Sequence, residues 1–122
     1  MAIEIIAAGE SRSFPDGTIS LGEGEGRILI GNRAGSRYAE LTADAGGFVG
    51  LELGTECLAN HVGLTASDVH LRTVGFARFR MGEAAPSPLV ELVRMRWTDP
   101  AAVAAARSAF EGAGLVVVVC ED

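Results

Sequence analysis

A chain of 122 residues that is 48% apolar, 21% charged and 6% aromatic can bury one core and is too hydrophobic to remain unfolded. Its formal charge of −6 argues against a general nucleic-acid surface, which needs clustered cations. All ten basic residues are arginine, so Schiff-base chemistry through a lysine side chain is excluded as well.

The N-terminus, Met1-Ala2-Ile3-Glu4-Ile5-Ile6, lacks a basic region and carries only a short apolar run, so residues 3–8 read as a first strand rather than a secretion signal. Residues 9–26 are rich in turn formers. Pro15-Asp16-Gly17 is a turn with a mechanism, since proline presets one φ angle and glycine accepts a positive one. Residues 18–21 are expected to form a short hairpin partner of the first strand. Residues 27–31 are an apolar run bounded by glycines, hence a buried strand. Residues 36–45 place Tyr38, Ala39, Leu41 and Ala45 on one helical face, and Gly46-Gly47 ends that helix. Residues 48–53 read as a strand, 55–61 as a turn or short helix and 63–68 as a loop. Residues 69–73 either extend the loop or lead into the next strand.

Residues 75–79 and 89–94 are strands, and Pro86 and Pro88 make a helix between them unfavourable. Thr98-Asp99-Pro100 combines a capping side chain with proline in the first turn, a strong helix start. The helix over 100–113 carries a stripe of Val103, Ala106, Phe110 and Ala113. Residues 115–120, Leu-Val-Val-Val-Val-Cys, suit a central strand covered on both faces. Strands alternating with helices predict an α/β domain with a mostly parallel sheet and covering helices. Residues 1–122 read as a single domain. No apolar run approaches the roughly 20 residues needed to cross a bilayer, so a cytoplasmic protein is expected.

Two glycine stretches invite a phosphate-binding reading. A dinucleotide fingerprint follows a strand and opens a helix, so that helix amides face the pyrophosphate. Gly22-Glu23-Gly24-Glu25-Gly26 has the wrong spacing, precedes a strand and carries two glutamates that would repel phosphate. Gly9-Glu10-Ser11 follows the first strand but has one glycine where three are wanted. Cys57 and Cys120 share no metal-ligand spacing and read as buried apolar fillers, and no metal site is expected. His61 and His70 read as loop or surface residues.

Val74-Gly75-Phe76-Ala77-Arg78-Phe79, a Pro-containing loop, Leu89-Val90-Glu91-Leu92-Val93-Arg94, a helix and an apolar strand ending in Glu121-Asp122 form a specific series. It resembles the end of the nucleotide-binding domain of the 3-hydroxyacyl-CoA dehydrogenases, where G-x-H-F-F-N-P is followed by L-V-E-V, a helix and a strand. Residues 26–58 extend the resemblance more weakly: Thr55 and Leu58 match the family's N-T-S-S-L turn, with Glu56 and Cys57 in place of its two serines. Residues 26–122 thus resemble the later part of that domain, and the whole reads as a reduced Rossmann-like domain without the family's helical second domain.

The resemblance implies a site and also its loss. Glu91 takes the position of the glutamate that orients the catalytic histidine, yet that histidine should lie at or beside Ala77. Thr55, Glu56, Cys57 and Arg78 fall where the family places substrate. NAD is the cofactor and an acyl-CoA-type molecule the ligand that the resemblance implies, while the glycine phosphate motif is missing. Three functions remain open on these residues. The first is a catalytically degenerate accessory or binding module in acyl-CoA metabolism. The second is an active NAD-dependent oxidoreductase completed by a second chain or by a missing helical domain. The third is a small-molecule sensor or interaction domain. Phe76, Phe79, Met81 and Trp97 form an apolar set that predicts a homodimer or a docked partner chain. Glu91 could instead be an ordinary polar residue, ion-paired with Arg78 or Arg80.

Overall fold

The computed structural model describes residues 3–17, 19–41, 46–62 and 67–122. Among these residues six strands form one sheet: β1 (Glu4–Ala7), β2 (Gly26–Ile30), β3 (Phe48–Glu52), β4 (Thr73–Arg78), β5 (Leu89–Arg94) and β6 (Val116–Glu121). They lie side by side in chain order, from β1 at one edge to β6 at the other. All neighbouring pairs are parallel except β4–β5, which is antiparallel. Among the described residues four helices cover it: α1 (Ala34–Ala39), α2 (Ala59–Val62), α3 (Asp68–Leu71) and α4 (Pro100–Gly112). The architecture is the expected α/β domain with a mostly parallel sheet, a reduced Rossmann-like fold.

The sheet separates two apolar clusters. On one face Ile28, Ile30, Phe48, Val74, Phe76, Val90 and Leu92 meet the stripe of α4, Ala102, Val103, Ala106, Ala109 and Phe110. Phe14 joins them from the long connection after β1. Its ring centroid lies 5.9 Å from Phe76 and 6.3 Å from Phe110, and Phe76 and Phe110 are 5.2 Å apart. On the other face Leu29, Val49, Leu51 and Leu53 meet Ala34 and Tyr38 of α1 and Leu58 and Val62 around α2. β2 and β3 are inner strands, each flanked by two others, and their consecutive apolar residues feed opposite clusters, as expected for a sheet covered on both faces.

Local chemistry sets the element ends. The Asp99 carboxylate accepts a hydrogen bond from the Ala101 amide at 2.9 Å, and Pro100 occupies the first turn of α4. Gly22 packs directly on the last turn of that helix. Its amide donates to the Ala109 carbonyl at 3.0 Å, and a Cβ on Gly112 would fall 2.6 Å from the Gly22 Cα. The first glycine of the 22–26 run is therefore a close-approach contact with a helix.

Several expectations need correction. Residues 115–120 do not form an inner strand: β6 is an edge. Val117 and Val119 face the α4 cluster, whereas Val116 and Val118 are 58% and 45% exposed. Apolar residues on both sides of a strand do not ensure that both sides are covered. Residues 19–21 pair with no strand; Ile19 and Leu21 instead pack as side chains against the α4 cluster, and Thr18 lies outside the described residues. The helix expected over 36–45 is observed as Ala34–Ala39, with 42–45 outside the described residues. Of the loop expected over 63–68, residues 63–66 lie outside the described residues, and Ser67 caps α3 through its side chain, which accepts from the His70 amide. Residues 69–73 finish that helix and begin β4.

Candidate functional site

The connections after β1 and β2 leave toward opposite faces. The first carries Phe14, Ile19 and Leu21 onto the α4 side, while the second enters α1, whose Ala34 and Tyr38 lie on the other side. Where successive connections diverge, an open α/β sheet leaves a crevice at the carboxyl ends of its strands. A cleft of about 330 Å³ occupies that place, lined by Glu10, Arg12, Ser13, Gly31, Asn32, Gly35, Glu52–Glu56, Ala77 and Arg78. A larger hollow of about 450 Å³ lies between Pro15, Ile19, Arg80 and Leu115. Its lining includes no residue of the connection after β2, so the crevice, which both diverging connections border, is the stronger candidate site.

Glu52, the last residue of β3, is buried, at 8% exposure. Its Oε1 accepts hydrogen bonds from the Ser11 hydroxyl at 2.6 Å and the Gly31 amide at 2.7 Å, and its Oε2 accepts from the Ser13 amide at 3.1 Å. The Ser11 Oγ also accepts from the Phe14 amide at 2.9 Å, and the Ser13 Oγ accepts from the Arg78 amide at 3.2 Å. One carboxylate thus joins the connections after β1, β2 and β3. No motif in the sequence singles out Glu52. The available signal was a lone carboxylate at the end of an otherwise apolar inner strand, where burial demands hydrogen-bond partners.

Arg78 lines the cleft, but its guanidinium bonds protein carbonyls. Nε donates to Ser87 O at 2.8 Å, Nη1 to Ser13 O at 3.0 Å and Nη2 to Pro86 O at 3.4 Å. The same group stacks over the Phe14 ring, 5.0 Å from its centroid. Desolvation by burial pulls its pKa below the ordinary arginine value.

Thr55 and Glu56 line the cleft together with Arg78, whereas Cys57 is exposed and is not among the lining residues. Glu56 meets an unexpected partner, the His61 Nε2, at 2.9 Å, and its other oxygen accepts from the Gly54 amide at 2.8 Å. Burial raises the Glu56 pKa, but the hydrogen bonds from His61 and the backbone, with attraction to the imidazole, outweigh it and leave the carboxyl below its ordinary value. His61 is therefore a half-buried helix residue packed on Gly35, where a Cβ would come within 2.4 Å of its ring. His70 also sits on a short helix, its ring 6.0 Å from that of Tyr38. Neither histidine is in a plain loop. The cysteines are not buried fillers, because Cys57 is exposed and Cys120 is half-buried on edge strand β6.

Ala77 and Glu91 are direct cross-strand partners in the antiparallel β4–β5 pair. The two positions matched to the family's histidine and glutamate thus face each other on one side of the sheet. Glu91 is exposed and makes no ion pair with any of the described residues. Arg80 reaches Glu83 at 3.6 Å instead, and Arg78 bonds the carbonyls described above. The expected Glu91–arginine pair is therefore absent. Of the apolar set, Phe76 is fully buried and Trp97 packs against the α1 cluster, while Phe79 and Met81 are 62% and 73% exposed. Among the described residues no group of three or more His, Cys, Asp or Glu side chains is placed to hold a metal ion, and no helix is long and apolar enough to cross a membrane.

No protein-family model matches the chain, and no curated protein matches it. Among solved structures, FadB2 of M. tuberculosis is similar, with a TM-score of 0.56 and 24% identity over 79% of this chain. The match spans 35% of the FadB2 chain, so this chain corresponds to about a third of that length. At this identity the likeness is one of fold: the chain has a reduced Rossmann-like α/β architecture shared with part of FadB2.

Proposed function

We propose that this chain is a catalytically degenerate relative of the 3-hydroxyacyl-CoA dehydrogenase nucleotide-binding domain, serving as an accessory or binding module in acyl-CoA metabolism. The register of β4 and β5 carries the reading. Ala77 stands directly opposite Glu91, which supports reading these two as the positions that a histidine–glutamate pair would take. A methyl group replaces the imidazole. A carboxylate can orient and charge an imidazole for proton transfer, but beside a methyl group it has nothing to orient. NAD would also lack its usual anchor, because the loop after β1 carries no glycine fingerprint.

The experiment is turnover of acetoacetyl-CoA with NADH by the purified chain. The expected result is no NADH oxidation above the protein-free rate, together with measurable heat on titration with a coenzyme A ester. Turnover that disappears in Glu91→Gln would overturn the reading. A second reading, an oxidoreductase completed by another chain, is favoured by exposed Phe79 and Met81 just beyond β4. In that case turnover would appear only when the second chain is added.

A further inference from the structure

Three donors converge on one point at the head of the crevice: the Ser11 hydroxyl, the Ser13 amide and the Gly31 amide. They come from two separate connections, after β1 and after β2. No arginine shares the task. Arg12 donates to the carbonyls of Arg80 and Gly82, and Arg78 to those of Ser13, Pro86 and Ser87. Convergent neutral donors in a concave, largely dry place are how backbone binds an oxyanion. In doubly wound sheets the turn after the first strand, at its carboxyl end, is also where the pyrophosphate of a dinucleotide sits.

We infer that the connections after β1 and β2 form an oxyanion-binding cradle whose ligand is the protein's own Glu52 carboxylate, which bars phosphates and external carboxylates from it. The carboxylate arrives from β3, two strands away from β1, and uses both of its oxygens. A phosphate approaching the same donors would meet a fixed negative charge and find every donor engaged. The geometry is independent of whether the chain is catalytic, because no atom of Ala77 or Glu91 takes part. It also explains how Ser11 and Ser13 can be buried at 8% and 3% exposure in a connection otherwise made of turns.

Chemical rescue tests the cradle. In Glu52→Ala the donors lose their ligand and a small carboxylate has room to enter. Thermal unfolding of the wild type, Glu52→Ala and a core control, Leu51→Ala, would be followed in sodium formate and in sodium chloride of equal ionic strength. Glu52→Ala should melt at least about 10 °C below the wild type, because three buried donors lose their acceptor. Formate at ten times its dissociation constant should then raise the melting temperature of Glu52→Ala by about 5.5 °C over chloride. The wild type and Leu51→Ala should move by less than about 1 °C, since neither has an open cradle. Rescue by inorganic phosphate as well as formate would also support the inference and widen the class of anion. Equal effects of formate and chloride on Glu52→Ala, or equal stabilisation of all three proteins by formate, would overturn it. If Glu52→Ala does not fold, the isosteric Glu52→Gln protein gives the answer by NMR. Loss of the charge-assisted bonds should move the Ser13 and Gly31 amide protons upfield, and unchanged resonances would refute the cradle.

Discussion

Replacing Arg78 with alanine should destabilise the protein by about 2 kcal/mol, and replacing it with lysine should do nearly the same. The arithmetic starts from the guanidinium contacts. Two hydrogen bonds to carbonyls, at 2.8 and 3.0 Å, have good length, and a third at 3.4 Å is weak. A bond from a charged donor is worth about 1.5–3 kcal/mol when buried, and a cation–π contact about 0.5–1 kcal/mol. Arg78 is only half-buried, so these figures are discounted for solvent screening to a total near 2 kcal/mol. With unfolding entropy near 2.1 cal/mol/K per residue, that loss lowers the melting temperature of a chain this long by about 8 °C. Lysine offers one point charge and no plane, so it cannot bond Ser13 and Ser87 together while lying over Phe14. Thermal and urea denaturation of Arg78→Ala and Arg78→Lys would measure both losses. A fall below about 2 °C in the alanine variant, or full stability in the lysine variant, would refute this account and return Arg78 to the pool of free ligand-binding groups.

Acid stability should depend on Glu56. Its folded pKa is depressed, so its contribution is present above the unfolded value near 4.5 and is lost as pH falls through the folded value. His61→Gln removes a main cause of the depression, and its stability should fall less steeply below about pH 4.5 than that of the wild type. Superimposable acid limbs would show that the pair does not contribute. Exposed Phe79 and Met81 should form a two-fold contact between copies of the chain. Light scattering at micromolar concentration is expected to give a dimer that Phe79→Glu with Met81→Glu converts to a monomer; a wild-type monomer over the same range rejects the contact.

The fold was legible where a residue pattern has one physical outcome. Thr98-Asp99-Pro100 can start a helix and do little else, and α4 begins at Pro100 with the stripe Val103, Ala106 and Phe110 buried. β2 and β3 announced themselves by apolar residues on both faces. β6 misled because its valines meet α4 on one side only, and coverage belongs to neighbouring elements rather than to the strand. The positions of Ala77 and Glu91 could be matched by resemblance, but their pairing depends on the turn from β4 into β5, whose length sequence leaves ambiguous. Glu52 and His61 stayed hidden for a related reason. The partners of Glu52, Ser11, Ser13 and Gly31, lie on other connections, and His61 reaches Glu56 only because the intervening turn and short helix fold it back. A hydrogen bond between residues 41 positions apart leaves no local spacing to read.

Strand order that repeats chain order has a consequence for how the molecule assembles. Each new strand needs only the strand just before it: Ile28 finds Ile5, Gly50 finds Ile28, Val74 finds Gly50, and so on to β6. No strand must be inserted between two already paired, so every step closes a single connection, and its entropic cost grows only slowly with length. A sheet that reverses direction must keep its first strand open on both sides until the second half arrives. Here the growing edge is always the most recently made one, and the sheet can be laid down as the chain emerges, from β1 toward β6. Its contacts are as short-ranged as a parallel sheet permits, which favours fast folding for this class.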